Sequence, residues 1–261
     1  MKIVSFNIWG GRAREALVSF IETHRASTDI FCFQEVWTSP RMDIEESRGT
    51  RVHILDELTA LLPGFVPHFF PIQKGLDIEG KVDFEVTEGH ATFVREGLPV
   101  LAEGHVFTRG ARSNSFSDWE NVPTAFGYVR VPFRNGELAV MNFHGIPYPG
   151  DKLDTPERLE QSRRIAEFVQ AEKNPLVLAG DFNLLPETES IRMVENAGLK
   201  NLIVEYGIQT TRSRVSPFYG KPDQQFFADF TFVSPGIDVK KFSVPEDCVA
   251  SDHLPMIMEF N

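Results

Sequence analysis

The sequence predicts an α+β chain made of two packed sheets with helices outside. Two observations carry that expectation: strands and helices alternate through the first part of the chain, and hairpins fill the middle. One domain spanning 1–261 is expected. The 261 residues are 42% hydrophobic with 23 Phe, enough for one large core, and no linker or internal repeat divides them.

Taken in order, Lys2 to Phe6 alternates like a strand and stops at Asn7. Arg14 to His24 has helical spacing through Leu17, Phe20 and Ile21, and Asp29 to Phe33 is a second strand ending at Gln34 and Glu35. Thr38 to Arg51 is charged and broken, an exposed loop. His53 to Leu62 is helical, closed by Pro63 and Gly64, and Phe65 to Phe70 is extended. Pro71 to Gly89, rich in acids, reads as a solvated loop or hairpin insertion. His90 to Arg95 and Val100 to Phe107 are strands, followed by a long polar loop from Thr108 to Pro123. Thr124 to Phe133 and Glu137 to Phe143 make a hairpin around Asn135 and Gly136. Pro156 to Ala171 is an amphipathic helix. Pro175 to Ala179 is a buried strand ending at Gly180, and Pro186 opens a helix over Glu187 to Glu195. Leu199 to Val204, Phe227 to Val233, Val239 to Val244 and Pro255 to Phe260 complete the strands.

Lys plus Arg total 26 against 37 Asp plus Glu, a net charge of −11. Such a chain repels a polyanion at long range, so nucleic-acid binding needs a local basic patch or bound cations. No stretch approaches the length of a membrane span, and the first apolar run is too short for a signal peptide. Cys32 and Cys248 lack a metal-binding spacing. A cytoplasmic monomer with no obligate protein partner is expected.

The informative residues sit where strands end: Asn7, Glu35, His144, Asp181, Asn183, Asp229, Asp252 and His253. One Asp or His at a strand end is ordinary turn chemistry. Recurrence at six separate places is hard to explain that way, and the carboxyl ends of strands in open α/β sheets are where ligands bind.

In order, Phe6-Asn7-Ile8-Trp9, Gln34-Glu35-Val36, Asn142-Phe143-His144, Gly180-Asp181-Phe182-Asn183 and Ser251-Asp252-His253-Leu254-Pro255 resemble the motifs of the endonuclease/exonuclease/phosphatase superfamily. Each is short, but five in the right order are specific, and they span residues 6 to 255. The resemblance implies a four-layer α/β/β/α sandwich and a metal-dependent phosphohydrolase. It assigns Mg²⁺ or Mn²⁺ to Glu35, with Asn7 and Asp252 nearby as further ligands, since such ions take hard oxygen donors. It gives Asp181 the task of orienting and deprotonating water, and Asn183 that of positioning the water or a phosphate oxygen. His144 and His253 hydrogen-bond phosphate oxygens or transfer a proton, and Asp229 matches the acid that holds the catalytic His.

Departures from the pattern bear on subclass. Abasic-site endonucleases carry an acid where this chain has Trp9, and they use a Tyr that has no counterpart near His90 to Arg95. The segments Phe6 to Gly10 and Glu35 to Trp37 are similar to neutral sphingomyelinases, whereas Glu88 to Phe93 resembles the deadenylase branch.

Candidate substrate-binding residues are Arg109, Arg112 and Trp119, which with Phe116 combine cations and stacking surfaces, and Arg212 and Arg214, which can hold a phosphate. Tyr148 and Lys152 lie in the loop after His144; His90 and His24 read as ordinary surface or packed histidines. The first functional expectation is a nuclease with DNA or RNA as substrate. The alternative is a phosphodiesterase or phosphatase on a small or lipid phosphate, of sphingomyelinase or inositol-phosphatase kind. A non-catalytic protein on the same fold is disfavoured, because a scaffold has no need of these acids, amides and imidazoles.

Overall fold

A computed structural model of the chain describes residues 1–111 and 119–261, with the side chain of Trp119 outside the description. In chain order the strands and helices are β1 (Lys2–Asn7), α1 (Arg14–His24), β2 (Ile30–Thr38), β3 (Glu46–Ser47), β4 (Thr50–Arg51), α2 (Ile54–Leu61), β5 (Phe65–Lys74), β6 (Leu76–Asp77), β7 (Gly80–Lys81) and β8 (Thr87–Arg95). They continue as β9 (Ala102–Arg109), β10 (Thr124–Phe133), β11 (Gly136–His144), α3 (Pro156–Ala171), β12 (Leu176–Asp181), α4 (Glu189–Asn196), β13 (Lys200–Asn201), α5 (Leu202–Glu205), β14 (Asp229–Val233), β15 (Val239–Ser243) and β16 (Met256–Phe260). Two six-stranded mixed sheets result, ordered β15-β16-β1-β2-β8-β5 and β13-β14-β12-β11-β10-β9.

Side-chain alternation assigns the layers. In β1 and β2, Val4, Phe6, Phe31 and Phe33 pack with Leu17, Phe20 and Ile21 of α1 and Leu58 of α2. Their neighbours Ile3, Ile30 and Cys32 face the second sheet. Ile165 and Val169 of α3 and Ile191 and Val194 of α4 cover that sheet's outer side. The order is helix, sheet, sheet, helix, the four-layer sandwich that the motifs imply. Toward one edge the inter-sheet face turns polar. Gln34 Nε2 donates to Asn142 Oδ1 at 2.6 Å, and Asn142 Nδ2 donates to the Phe33 carbonyl at 3.1 Å. These buried amides pin one sheet on the other directly beneath the strand ends.

Several segments differ from the sequence expectation. Of the two expectations for Pro71 to Gly89, the hairpin is found in its middle, where β6 pairs antiparallel with β7, and the solvated loop is not. β5 runs to Lys74, β8 starts at Thr87, and Gln73, Leu76, Asp77, Val86 and Glu88 are buried. The acid count misled because Asp77 is taken up by Arg48, whose Nη2 lies 2.6 Å from Oδ1; a buried carboxylate is tolerated when paired. The same contact ties down Thr38 to Arg51, which holds β3 and β4 and buries Thr50. Leu199 to Val204 is a two-residue strand followed by a helical turn, because Asn201 Oδ1 accepts from Ile203 N at 3.1 Å and caps α5. The β10–β11 turn consists of Arg134 and Asn135, with Gly136 already paired to Phe133.

Candidate active site

Topology gathers the polar strand ends at one edge. β1 runs parallel to β2, and β11 runs parallel to β12, so Asn7, Glu35, His144 and Asp181 arrive at carboxyl ends. β14 is antiparallel to β12 and begins there, which sets Asp229 beside Asp181 in register. β16 pairs antiparallel with β1, and His253 lies just before it. Gly180 permits this packing: at φ 150° a Cβ would lie 1.9 Å from the Phe143 carbonyl oxygen.

Glu35 sits at an irregularity of the β2–β8 ladder, between Phe33 and Val36, with φ 57°. A bulge re-aims a side chain, here toward Asn7, whose Nδ2 donates to Glu35 Oε1 at 2.9 Å and to Asp181 Oδ2 at 3.1 Å. Asn7 Oδ1 accepts from Trp9 N at 3.0 Å. Asn7 thus bridges the two carboxylates through its amide nitrogen, while its oxygen accepts one hydrogen bond and keeps a second lone pair. Burial, with Asp252 second, pushes the Glu35 carboxyl up to about 7.

Asp181 Oδ1 accepts from Asn183 N at 2.8 Å, while Oδ2 lies 3.5 Å from His144 Nε2 and 3.6 Å from His253 Nε2. Burial pushes this carboxyl up, but His253, His144, Lys152 and Arg212 outweigh it and hold Asp181 below the usual carboxylate range. His253 Nδ1 lies 2.8 Å from Asp229 Oδ2 and 3.0 Å from Oδ1, the His–Asp pair that the motifs imply. On its other nitrogen His253 meets Arg212 Nη1, and Arg212 Nη2 donates to Asp252 Oδ2 at 2.7 Å. Burial and Arg212 lower the His253 titration, but Asp229, Asp252 and Asp181 raise it further, above its ordinary value. Asp252, expected beside the cation, lines the same cavity close enough to Glu35 to push that carboxyl up, with its own Oδ2 held by Arg212.

Asn183 has φ 54°, and its Oδ1 accepts from the buried Lys152 ammonium. Burial pushes Lys152 down to about 8 despite Asp181 nearby. The loop carrying Lys152 is held from below by Arg158 of α3, fully buried, which donates to the Leu153 and Pro149 carbonyls at 2.6 Å each. Gln161, one helical turn on, accepts from Ile146 N at 3.1 Å. Neither residue was singled out from sequence. The available signal was a pair of polar side chains three apart on the inward face of an otherwise amphipathic helix.

These groups line a cavity of about 630 Å³ whose walls include Ile72, Ile78, Val122, Tyr148 and Phe218. Glu88 and His90 also line it, both buried. His90 is therefore a packed histidine that nonetheless faces the site. The period-two spacing of Glu88 and His90 in β8 was the sequence signal for it. Of the expected substrate-binding residues, Arg212 is at the site but already engaged by His253 and Asp252. Arg214 is exposed and Arg109 half-buried, and neither lines the cavity. Arg112 and the Trp119 side chain lie outside the described residues.

Glu35, His144 and Asp181 place donor atoms within 4.8 Å of one another, and Glu35 Oε2 is buried with no hydrogen-bond partner. Buried carboxylates this close need a cation to be ionised together, so the residues fit a metal ion. Among the described residues no helix is long and apolar enough to cross a membrane.

Comparison with known proteins agrees with this geometry. Residues 4–253 match the model of the Endonuclease/Exonuclease/phosphatase family. A UPF0294 protein of Vibrio campbellii (strain ATCC BAA-1116) is 28% identical over 154 residues, 58% of this chain and 50% of that protein; the chain spans about half the length of this curated relative. A family protein of Leptotrichia buccalis C-1013-b has TM-score 0.75 at 17% identity, over 100% of this chain and 99% of that one. The mannosyl-6-phosphatase Bt3783 of Bacteroides thetaiotaomicron VPI-5482 has TM-score 0.68 at 17% identity, over 100% and 99%. At these identities the structural likeness concerns the fold.

Proposed function

We propose that the chain, which belongs to the Endonuclease/Exonuclease/phosphatase family, is a phosphohydrolase that acts on a small phosphate ester with the help of Mg²⁺ or Mn²⁺. The observation that carries the substrate size is the cavity. It is about 630 Å³, within the range of small-molecule sites, and its described lining holds six carboxylates (Glu35, Glu88, Asp151, Asp181, Asp223, Asp252) against Lys152 and Arg212. A nucleic-acid track needs cations spaced along a backbone, and this lining does not provide them.

Glu35 is the proposed ligand, and Asp181 and His144 place a donor atom within 4.8 Å of it. When bound, the ion supplies charge neutralisation at the phosphate and at the leaving oxygen. The chain's own residues do the remainder. Asn183 N fixes Asp181 through Oδ1 and Asn7 Nδ2 steadies Oδ2, the oxygen that orients a water and takes its proton. His144 and Lys152 keep that carboxylate ionised. Asp229 fixes the His253 tautomer with the Nδ1 proton between them, so Nε2 is the atom that receives or donates a proton at the phosphate. Arg158 and Gln161 hold the loop that brings Lys152 against Asn183, and so keep the Asn183 amide oriented.

Cleavage of DNA or RNA, the first expectation from sequence, is the second reading. One observation favours it: Arg109 is the register partner of the cavity-lining Thr124 and has a buried Nη1 with no hydrogen bond. The test offers p-nitrophenyl phosphate, bis-p-nitrophenyl phosphate, a sugar phosphate, single- and double-stranded DNA, and RNA, each with Mg²⁺ or Mn²⁺ and with EDTA. The small esters should be turned over in metal and not in EDTA. Faster turnover of the polynucleotides, lost in Arg109→Ala, would replace this reading with the nuclease one.

A further inference from the structure

We propose that Glu88, His90 and His144 form a second cation site, adjoining the first through His144 and suited to Zn²⁺. The three side chains are buried or nearly so and place one donor atom each within 4.8 Å of one another. Ligand atoms around a tetrahedral Zn²⁺ stand about 3.3 Å apart, so modest side-chain rotation closes the set.

The tautomer of His90 points to a ligand. Its Nε2 lies 2.9 Å from the Ala125 carbonyl oxygen, which can only accept, so Nε2 carries the proton and Nδ1 carries the lone pair. That Nδ1 is buried without a close hydrogen-bond partner, and His90 lines the cavity. An imidazole oriented by donating its other nitrogen to a backbone carbonyl is the arrangement by which proteins fix metal-binding histidines.

Glu88 tells the same story from the acid side. Its Oε1 is buried without a partner, beside Gln73, its register partner on β5. A buried polar group left unmatched costs about 1–3 kcal/mol, and a cation between Glu88 and His90 removes that cost on both. Two imidazoles and one carboxylate are a Zn²⁺ donor set, whereas Glu35 with Asp181 is richer in oxygen and suits Mg²⁺ or Mn²⁺. Because all three residues open on the cavity, the fourth position faces substrate.

The test is anomalous diffraction at the zinc edge on metal-stripped wild-type crystals soaked in Zn²⁺, together with calorimetric titration of wild type, Glu88→Gln, His90→Gln and Glu35→Gln. An anomalous peak among Glu88, His90 and His144 is expected. Zn²⁺ affinity at that site should fall by at least about tenfold in Glu88→Gln and His90→Gln and persist in Glu35→Gln. A peak on Glu35 and Asp181 alone, no peak, or wild-type binding by folded Glu88→Gln overturns the proposal. The hydrolase reading is judged separately, by Mg²⁺-dependent turnover, so either can fail without the other.

Discussion

Two sides of one cavity treat their buried polar atoms differently. Around Asp181 they are paired. Asp181 accepts from Asn183 N and Asn7, Asp229 holds His253 through both oxygens, Arg212 holds Asp252, and Lys152 holds Asn183. Around Glu88 they are not: Glu88 Oε1 and His90 Nδ1 have no partner. Glu35 stands between, with Oε1 held by Asn7 and Oε2 unmatched. Paired groups are locked in one geometry before substrate arrives, as charge-stabilising catalysis requires. Unpaired ones mark where the fold is incomplete without a bound species. The contrast divides the cavity into a prearranged chemical half and a ligand-receiving half.

The largest way to break that division is Glu35→Gln, which removes charge at the border of the two halves. It should lower kcat by about 10³-fold, and a normal rate at ordinary Mg²⁺ would remove Glu35 from the site. Asp229→Asn should lower kcat by about 10²-fold or more while leaving substrate affinity nearly unchanged. Loss confined to KM would show that the His253–Asp229 pair binds substrate and does not transfer protons.

Stability without metal sharpens the comparison. The folded chain holds protons on Glu35 to about pH 7 and on Glu88 to about pH 8, whereas in the unfolded chain they leave near 4.5. The folded state therefore binds more protons on these two carboxyls across that window, and their contribution to stability falls as pH rises through it, while His90, held down to about 3, contributes in the opposite sense below 6.5. At about 1.4 kcal/mol per pKa unit the two carboxyls together account for a fall on the order of 5–10 kcal/mol. Chemical denaturation in EDTA from pH 5 to 8 measures it; Glu88→Gln should flatten the upper part, and an unchanged slope would clear Glu88 of the effect.

The smallest effects belong to the rim. Lys152→Ala, which frees the Asn183 amide, should cost about tenfold in kcat/KM. Arg214→Ala should cost nothing, since Arg214 is exposed and does not line the cavity. A loss there would mean that substrate extends well beyond the cavity.

The half proposed to carry the chemistry was legible in sequence because its residues interrupt apolar runs. Asn7, His144, Asp181 and Asp229 end or begin strands, Glu35 sits at the irregularity within β2, His253 lies just before β16, and sheet topology needs only to bring those interruptions to one edge. The other half was not legible for a physical reason. Glu88 and His90 lie inside a strand that reads as apolar on its other face, through Ala91 and Phe93, and their neighbourhood depends on Gln73 and Ala125 from distant segments. Arg212 shows the same limit in reverse: its charge suggested a phosphate ligand, but only tertiary structure sets His253 and Asp252 against it. Strand ends Leu199 to Val204 failed at Asn201, where a side-chain cap converted extended chain into a helical turn.

The most direct test of the division is the Mg²⁺-dependent hydrolysis rate of Asp181→Asn beside wild type, with both shown folded by circular dichroism. The substitution keeps the shape, and an Asn there can still meet Asn183 N through its oxygen, but it removes the charge that His144, Lys152 and His253 surround. The expected result is a fall in kcat of about 10³-fold or more with little change in KM. Wild-type turnover by the folded variant would contradict the assignment of the chemistry to this half of the cavity.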